Sequence, residues 1–170
     1  MILDKILKVI QSVNTKEKVH KSGAGSPRKE GTHGRLEIPE LSISVPLYDA
    51  NGCDSQKIVD AQDSAVLMRW GNQFAIADHN DQANFKNLSD AEPGKTTAMI
   101  RQGKNLQRYR CIKTQVGHIT ISENGNRIFD QDWKPVYQQA FGGLCIYTCL
   151  NKSAPNVMDI RLTYWQAYAE

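Results

Sequence analysis

The stretch GGLCIYTCLNKSAPNVMDIRLTYWQ, residues 142–166, decides the fold, because it is typical of two strands joined by a polar loop. In the second strand Ile160 and Leu162 alternate with polar residues, so they share one face of a half-buried strand. A cysteine, Cys149, follows the apolar run of the first strand, and an arginine, Arg161, lies on the second. The stretch therefore predicts a strand pair that carries a thiol and a guanidinium.

Short runs of alternating or apolar residues recur along the rest of the chain and predict further strands. They are RLEIPELSISVPLY, FAIADH, TTAMIRQ and RYRCIKTQVGHITI. Helical patterns are few: DSQKIVDAQ follows a possible N-cap at Asp54, and a turn or two of helix is predicted in DQANFKNLSD. Many strands with little helix predict a mainly β protein, either a closed barrel or a sandwich.

Residues 1–34 differ in composition from the rest of the chain. The opening MILDKILKVIQSV places apolar residues at helical spacing with lysines between them, which predicts an N-terminal amphipathic helix. This helix either packs on the domain or contacts a membrane surface through residues 1–13. The following polar segment is rich in Gly, Ser and Lys and predicts a linker. We expect a single folded domain over residues 35–170.

Composition argues against several classes of partner. The net charge is only +3, and aromatic residues are not interleaved with basic clusters, so we expect no nucleic-acid partner. The four cysteines form no C-x-x-C pair, and no metal or other cofactor is predicted. No run of about 18 apolar residues occurs, so neither a transmembrane helix nor a signal peptide is expected. Any native export signal or anchor would precede this chain.

Two cysteines lie close together in the first strand of the opening stretch. Cys145 and Cys149 are four residues apart, which places them on one face at a separation of roughly 13 Å. A disulfide needs the Cα atoms within about 7 Å, so these two cannot pair along a strand. Cys145 lies inside the apolar run and is expected in the core. Cys149 lies where a polar loop begins with Leu150, so a substrate could reach it as a nucleophile.

A thiol nucleophile needs a proton acceptor, and the chain has four histidines. His20 and His33 fall in the predicted linker. His118 lies in a long strand and is expected at the surface or near the strand end. His79 ends the run FAIADH beside a polar loop, so it is the candidate base.

Two other roles were weighed for the same residues. The segment ADHND could supply metal ligands from Asp78, His79 and Asp81. Adjacent strand residues point to opposite faces, however, which argues against convergence on one ion. Arg161 could be an exposed residue paired with Asp159, two positions earlier on the same side of the strand.

In their order along the chain, these features resemble the sortases, cysteine transpeptidases that attach proteins to bacterial cell walls or build pili. LEIPELSISVPLY looks like the family's first strand pair, and AIADHNDQANFKNL like its strand that ends in the catalytic histidine. CIYTC looks like the Thr-Leu-x-Thr-Cys motif, and DIRLTYWQ like the arginine strand. The chain departs from the family at Cys145 and Ile146, in place of Thr and Leu, and at Asp78, where many members have glycine.

The resemblance covers the chain from about Leu36 and implies a closed sortase-type β-barrel of class B or of a divergent group. Residue by residue, it implies that Cys149 attacks a backbone carbonyl and that His79 protonates the leaving amine. Arg161 would donate hydrogen bonds to the substrate or the oxyanion, and Thr148 would help to position the substrate. A nearby cation is expected to lower the pKa of the thiol.

The resemblance also implies the partners and the location. The substrate would be the sorting-signal peptide of a surface protein, and the acceptor an amine of cell-wall peptidoglycan or of a pilin lysine. The location would be the extracellular face of a Gram-positive cell membrane. A thiol peptidase and a non-catalytic peptide-binding module on the same scaffold stay open. In QDWKPVYQQAFGG, Trp133 and Tyr137 either line the substrate groove or serve packing.

Overall fold

The structure is a computed structural model, and it covers only part of the chain in enough detail to describe. The described residues are 32–50, 65–81, 85–120, 122 and 127–169. The predicted N-terminal helix, most of the linker and the segment DSQKIVDAQ lie outside the described residues. The first strand begins at Thr32, three residues before the predicted start of the domain.

The described residues form nine strands and three short 3-10 helices. The strands are β1 (Thr32–Ile38), β2 (Ile43–Asp49), β3 (Ala65–Trp70), β4 (Gln73–Asp78), β5 (Thr97–Gln102), β6 (Asn105–Thr120), β7 (Arg127–Phe129), β8 (Gly143–Ala154) and β9 (Val157–Tyr168). The 3-10 helices are Pro39–Leu41, Lys86–Asp90 and Val136–Gln138. The second of these lies in DQANFKNLSD, where a turn or two of helix was predicted.

The sheet closes on itself. Its strand order is β5-β1-β2-β3-β4-β8-β9-β6-β7, and β5 also pairs with β6, which makes an eight-stranded barrel with β7 added beyond β6. The predicted mainly β barrel is therefore confirmed. Two pairings are parallel, β2 with β3 and β4 with β8, and the second of these sets the site described below.

Two strands, β3 and β7, were not among the predicted runs, and there is a physical reason why each was missed. In β3 five of the six residues are buried, with Arg69 the exposed one, so the strand lacks the alternation that marks a half-buried strand. β7 has three residues, too few for any period to be visible.

The buried apolar side chains form two clusters, one on each side of the barrel wall. The interior cluster draws on all eight barrel strands and consists of Leu36, Ile38, Leu41, Ile43, Val45, Leu47, Ala65, Leu67, Ile76, Phe85, Leu88, Ala91, Ala98, Tyr109, Cys111, Leu144, Ile146 and Trp165. The outer cluster consists of Val66, Met68, Trp70, Ala75, Ala77, Ile119, Ile128, Val136, Phe141, Cys145, Tyr147, Met158, Ile160, Leu162 and Tyr164. Residues 144–147 of β8 thus alternate between the two clusters, and on β9 Ile160, Leu162 and Tyr164 share the outer face, as the pattern of β9 predicted.

A buried side-chain relay ties β8 to β9 inside the barrel. The Thr163 hydroxyl donates to the carbonyl oxygen of Ile146 at 2.6 Å. It also accepts a hydrogen bond from the Trp165 indole Nε1 at 2.8 Å. Both Thr163 and Trp165 are fully buried, so water cannot replace either bond.

Substitution Thr163→Val tests this relay. Valine keeps the shape but leaves the indole N–H buried without an acceptor, which costs about 1–3 kcal/mol of unfolding free energy. We expect the melting temperature to fall by roughly 3–10 °C for a domain of this size. The matched control is Thr114→Val, because Thr114 is the half-buried register partner of Thr163 on β6. Equal falls in the two variants, measured by circular dichroism, would show that the relay contributes nothing specific.

Candidate active site

The parallel ladder of β4 with β8 brings the predicted base and nucleophile to the same level. Its last register pair is Asp78 with Thr148, so His79 and Cys149 each follow the last paired residue. Neighbouring strands lie about 4.8 Å apart. Cys149 continues the alternation of Cys145 and Tyr147 on β8 and packs against the outer cluster, while His79 directly follows the last residue of β4.

The position of Cys149 differs from the prediction in one respect. Strand β8 continues to Ala154, so Cys149 does not end it. The pairing of β8 with β4 ends at Thr148, just before Cys149. The register of β8 with β9 also shifts between Cys149 and Lys152. The residues after Cys149 were predicted to form a loop because they are polar, but they belong to a β-hairpin, and residues 151–154 are exposed on both of its faces. The thiol still lies at a break in the sheet.

The states of the cysteines agree with the prediction. Cys145 is fully buried, while Cys149 is half-buried and packs against the outer cluster. Both are free thiols.

One hydrogen bond joins the ends of β4 and β8 at this level, and a second holds the residue that follows β4. The Thr148 hydroxyl donates to the main-chain carbonyl of Asp78 at 2.8 Å. The Asp78 carboxylate Oδ1 accepts the main-chain N–H of His79 at 2.7 Å. Asp78 and Thr148 are both buried. The Thr148 hydroxyl is thus bonded to the scaffold, and its role in positioning substrate stays a prediction.

Arg161 lies next to this pair but on the other side of the barrel wall. Its register partner is Thr148, whereas the partner of Cys149 is Ile160. Residues directly opposite each other share a face, so the Arg161 side chain leaves the wall toward the interior and that of Cys149 toward the outer cluster. The structure thus places His79 and Cys149 directly after the last β4–β8 pair, and Arg161 in the register row of that pair.

The guanidinium of Arg161 has a donor without a partner. Its Nε is buried and makes no hydrogen bond to the described residues. The alternative in which Arg161 pairs with Asp159 is not what the structure shows. Asp159 instead contacts His118 Nδ1 at 2.9 Å and accepts a hydrogen bond from Asn151 at 3.3 Å.

The pKa of the Cys149 thiol is raised to about 12, because burial penalises the thiolate. This direction is opposite to the expected lowering by a nearby cation. The same cause raises the pKa of Tyr147, which lies two residues before Cys149 on the same face. The Tyr147 hydroxyl is buried and has no hydrogen-bond partner among the described residues. The raised pKa favours the neutral thiol at Cys149, which packs against the outer cluster that contains Tyr147.

The two aromatic residues predicted near the substrate lie in different surroundings. Tyr137, in the 3-10 helix Val136–Gln138, packs against the same outer cluster as Cys149. Trp133 is half exposed and stacks on His118, with ring centroids 4.2 Å apart. His118 itself lies near the end of β6, as predicted, but is half-buried. A substrate contact by either aromatic residue stays a prediction.

Sequence reasoning did not identify the role of Asp78 in holding His79, although the residue stood out as a departure from the family pattern. The contacts of Asp78 depend on the register of β4 with β8, which no single-strand pattern reveals. Within the described ranges, no group of three or more His, Cys, Asp or Glu side chains is placed to hold a metal ion. None of the described helices is long and apolar enough to cross a membrane.

Comparison of the sequence with protein-family models and with curated proteins gave no match. Solved structures do match the fold. The sortase C of Streptococcus pneumoniae superposes with a TM-score of 0.58 at 16% identity, over 99% of this chain and 88% of the other. The pilus-related sortase C of Group B Streptococcus gives 0.57 at 16% identity, over 98% and 83%. Sortase E1 from Streptomyces coelicolor, solved with a tripeptide in the active site, gives 0.53 at 18% identity, over 79% and 87%. The chain therefore has the sortase fold, as its resemblance implied.

The raised pKa of Cys149 predicts a slow thiol. At pH 7.5 we expect alkylation of Cys149 by iodoacetamide to be roughly 10- to 100-fold slower than alkylation of free cysteine, because little thiolate is present. The rate should continue to rise with pH beyond 10. Peptide mass mapping isolates Cys149 from the other cysteines, and glutathione in the same tube serves as the control. A rate that does not rise between pH 9 and pH 11 would contradict the effect of burial.

Proposed function

We propose that this protein is a cysteine transpeptidase that forms an acyl-enzyme through Cys149 and transfers the acyl group to an amine. The observation that carries the proposal is the placement of His79 and Cys149 at the same open end of the β4–β8 ladder, within a sortase fold. A thiol and an imidazole on adjacent strands are the nucleophile and the base of an acyl-transfer site.

In the proposed reaction the Cys149 sulfur attacks the carbonyl carbon of a peptide bond while His79 takes the thiol proton. The tetrahedral intermediate collapses as the C–N bond breaks, and His79 gives that proton to the leaving amine. This leaves a thioester on Cys149 and a free amine. In the second half His79 removes a proton from the incoming amine, which attacks the thioester and releases the new amide and the thiol.

The burial of Cys149 decides how the first step proceeds. With a thiol pKa of about 12, a preformed thiolate is scarce at neutral pH. In the proposal the proton moves to His79 as the sulfur attacks, so the imidazole acts at the moment of bond formation. This makes the distance between the His79 ring and the sulfur the critical geometric quantity.

Arg161 is proposed to donate hydrogen bonds to the substrate backbone or to the oxyanion, a task suited to its planar fork. The support is its buried Nε without a partner and its place one register row from Cys149. Because its side chain leaves the wall on the interior side, the guanidinium would reach the reacting carbonyl around the end of the ladder, where β4 stops pairing with β8.

We propose a sorting-signal peptide as the acyl donor and an amine of the cell wall or of a pilin as the acceptor. The partly buried residues Tyr48, Ala50 and Tyr137, which pack on the outer cluster as Cys149 does, are proposed to offer apolar surface to the peptide. Among the matching structures, Sortase E1 holds a tripeptide in its active site, and the sortase C of Streptococcus pneumoniae was studied for its pilin substrate specificity. The proposed location is the extracellular face of a Gram-positive membrane, with residues 1–13 as a possible membrane-surface contact.

Intact mass spectrometry tests the reaction directly. The protein is incubated with a library of sorting-signal-like peptides, with and without a small amine. We expect a thioester adduct that the amine converts to a ligated peptide, and no adduct in Cys149→Ala or His79→Ala. Hydrolysed peptide alone would assign a thiol peptidase, and bound peptide without an adduct a non-catalytic module. Full activity in Cys149→Ala would refute the proposal.

Substitution of Arg161 separates its role from the roles of His79 and Cys149. We expect Arg161→Ala to lower kcat/KM by about 10²–10³-fold, as the loss of an oxyanion donor does. Alkylation of Cys149 should stay within about twofold of wild type, because burial rather than charge sets its thiol pKa. Arg35→Ala, an exposed arginine on β1, is the control and should change neither rate. A changed pH profile of alkylation in Arg161→Ala would instead place the guanidinium beside the thiol.

A further inference from the structure

A buried carboxylate lies directly before the proposed base. Asp78 is 4% exposed, and an ionised carboxylate in such a place is costly unless hydrogen bonds stabilise it. The sequence resemblance implies no role for this residue, since many sortases have glycine at this position. Its carboxylate oxygen Oδ1 accepts the His79 main-chain N–H at 2.7 Å, within the range of charge-assisted bonds.

The same residue is held from the neighbouring strand. The Thr148 hydroxyl donates to the Asp78 main-chain carbonyl at 2.8 Å, and Thr148 immediately precedes Cys149. One hydrogen bond therefore joins Asp78 to the strand of the nucleophile, and the other joins it to the main chain of the base. His79 lies beyond the last β4 pair, so local bonds hold its main chain: Asp78 Oδ1 accepts its N–H, and its carbonyl oxygen accepts the Phe85 N–H at 3.0 Å.

We infer that Asp78 is a positioning residue, whose carboxylate oxygen fixes the His79 main chain so that the imidazole stays beside the Cys149 thiol. This inference rests on the proposed pairing of His79 with Cys149. A glycine here would supply no side-chain acceptor and would add main-chain freedom where β4 ends. Asparagine would keep an acceptor oxygen at nearly the same place, so it is the matched conservative variant.

The first readout is amide exchange of His79, which needs no substrate. The chain has four histidines, so selective ¹⁵N-histidine labelling of the full chain gives at most four backbone amide signals, and His79→Gln identifies the one of interest. We expect the His79 amide to be protected from exchange with deuterium in wild type. Its exchange should be about tenfold faster in Asp78→Ala and within about threefold of wild type in Asp78→Asn. The amide of His118, on β6, reports any general loosening.

The second readout is alkylation of Cys149 by iodoacetamide at pH 8, followed by peptide mass mapping. His79→Ala is the reference, and we expect it to slow alkylation about tenfold by removing the proton acceptor. Asp78→Ala should slow alkylation to a similar degree, because the imidazole is present but poorly placed. Asp78→Asn should keep most of the wild-type rate, because it keeps the acceptor oxygen. If the charge of the side chain mattered instead of that oxygen, Asp78→Asn would be as slow as Asp78→Ala.

Several outcomes would overturn the inference. The first is a His79 amide that exchanges freely in wild type, a measurement that does not depend on any variant folding. The others are unchanged exchange of the His79 amide in Asp78→Ala, and an Asp78→Asn variant that behaves as Asp78→Ala does. Equal loss of protection at His118 would assign Asp78 to general stability and also overturn it. If instead His79→Ala leaves alkylation unchanged, the pairing of His79 with Cys149 fails, while the exchange data still decide whether Asp78 holds the His79 main chain.

Discussion

The end of the parallel ladder between β4 and β8 is the constraint on which the site depends. Its last pair, Asp78 with Thr148, is closed by a hydrogen bond between residues 70 positions apart in the chain. Because side chains alternate along β8, a slip of one residue would turn Cys149 toward the interior, and it would no longer lie level with His79. The pairing of a base with a nucleophile is thus a property of strand register, which the buried apolar residues of both strands determine together.

The barrel wall divides the polar residues of the site between its two sides. Asp78, Thr148 and Arg161 form one row across β4, β8 and β9 on the interior side. Cys149 lies one row further along, on the outer side, and His79 follows Asp78 just beyond the end of β4. The charges are therefore kept away from the resting thiol, and burial governs the pKa of Cys149. A cation that does not stabilise the ground-state thiolate can still stabilise charge that develops on the substrate oxygen, which is the contribution that accelerates a reaction.

Some of this arrangement follows from single-strand patterns, and some does not. The alternation in MDIRLTYW predicted that Ile160 and Leu162 lie on the face of the strand opposite to Arg161, and the structure confirms this. The alternation could not show which of these residues faces Cys149, because the spacing of twelve residues leaves the hairpin register open, and the register shifts after Cys149. The contacts of Asp78 were likewise beyond reach, since they arise from pairing with a distant parallel strand.

In the proposed reaction, the burial of Cys149 also bears on which acceptor resolves the thioester. The sulfur packs against the outer cluster, so an acyl group on it would lie over apolar side chains. Such surroundings hold few water molecules, and they offer little solvation to a hydroxide or to a water that is losing its proton. An amine that binds along the groove brings its own contacts and can reach the carbonyl at high effective concentration. The property that makes the thiol slow to ionise would therefore favour transfer to an amine over hydrolysis.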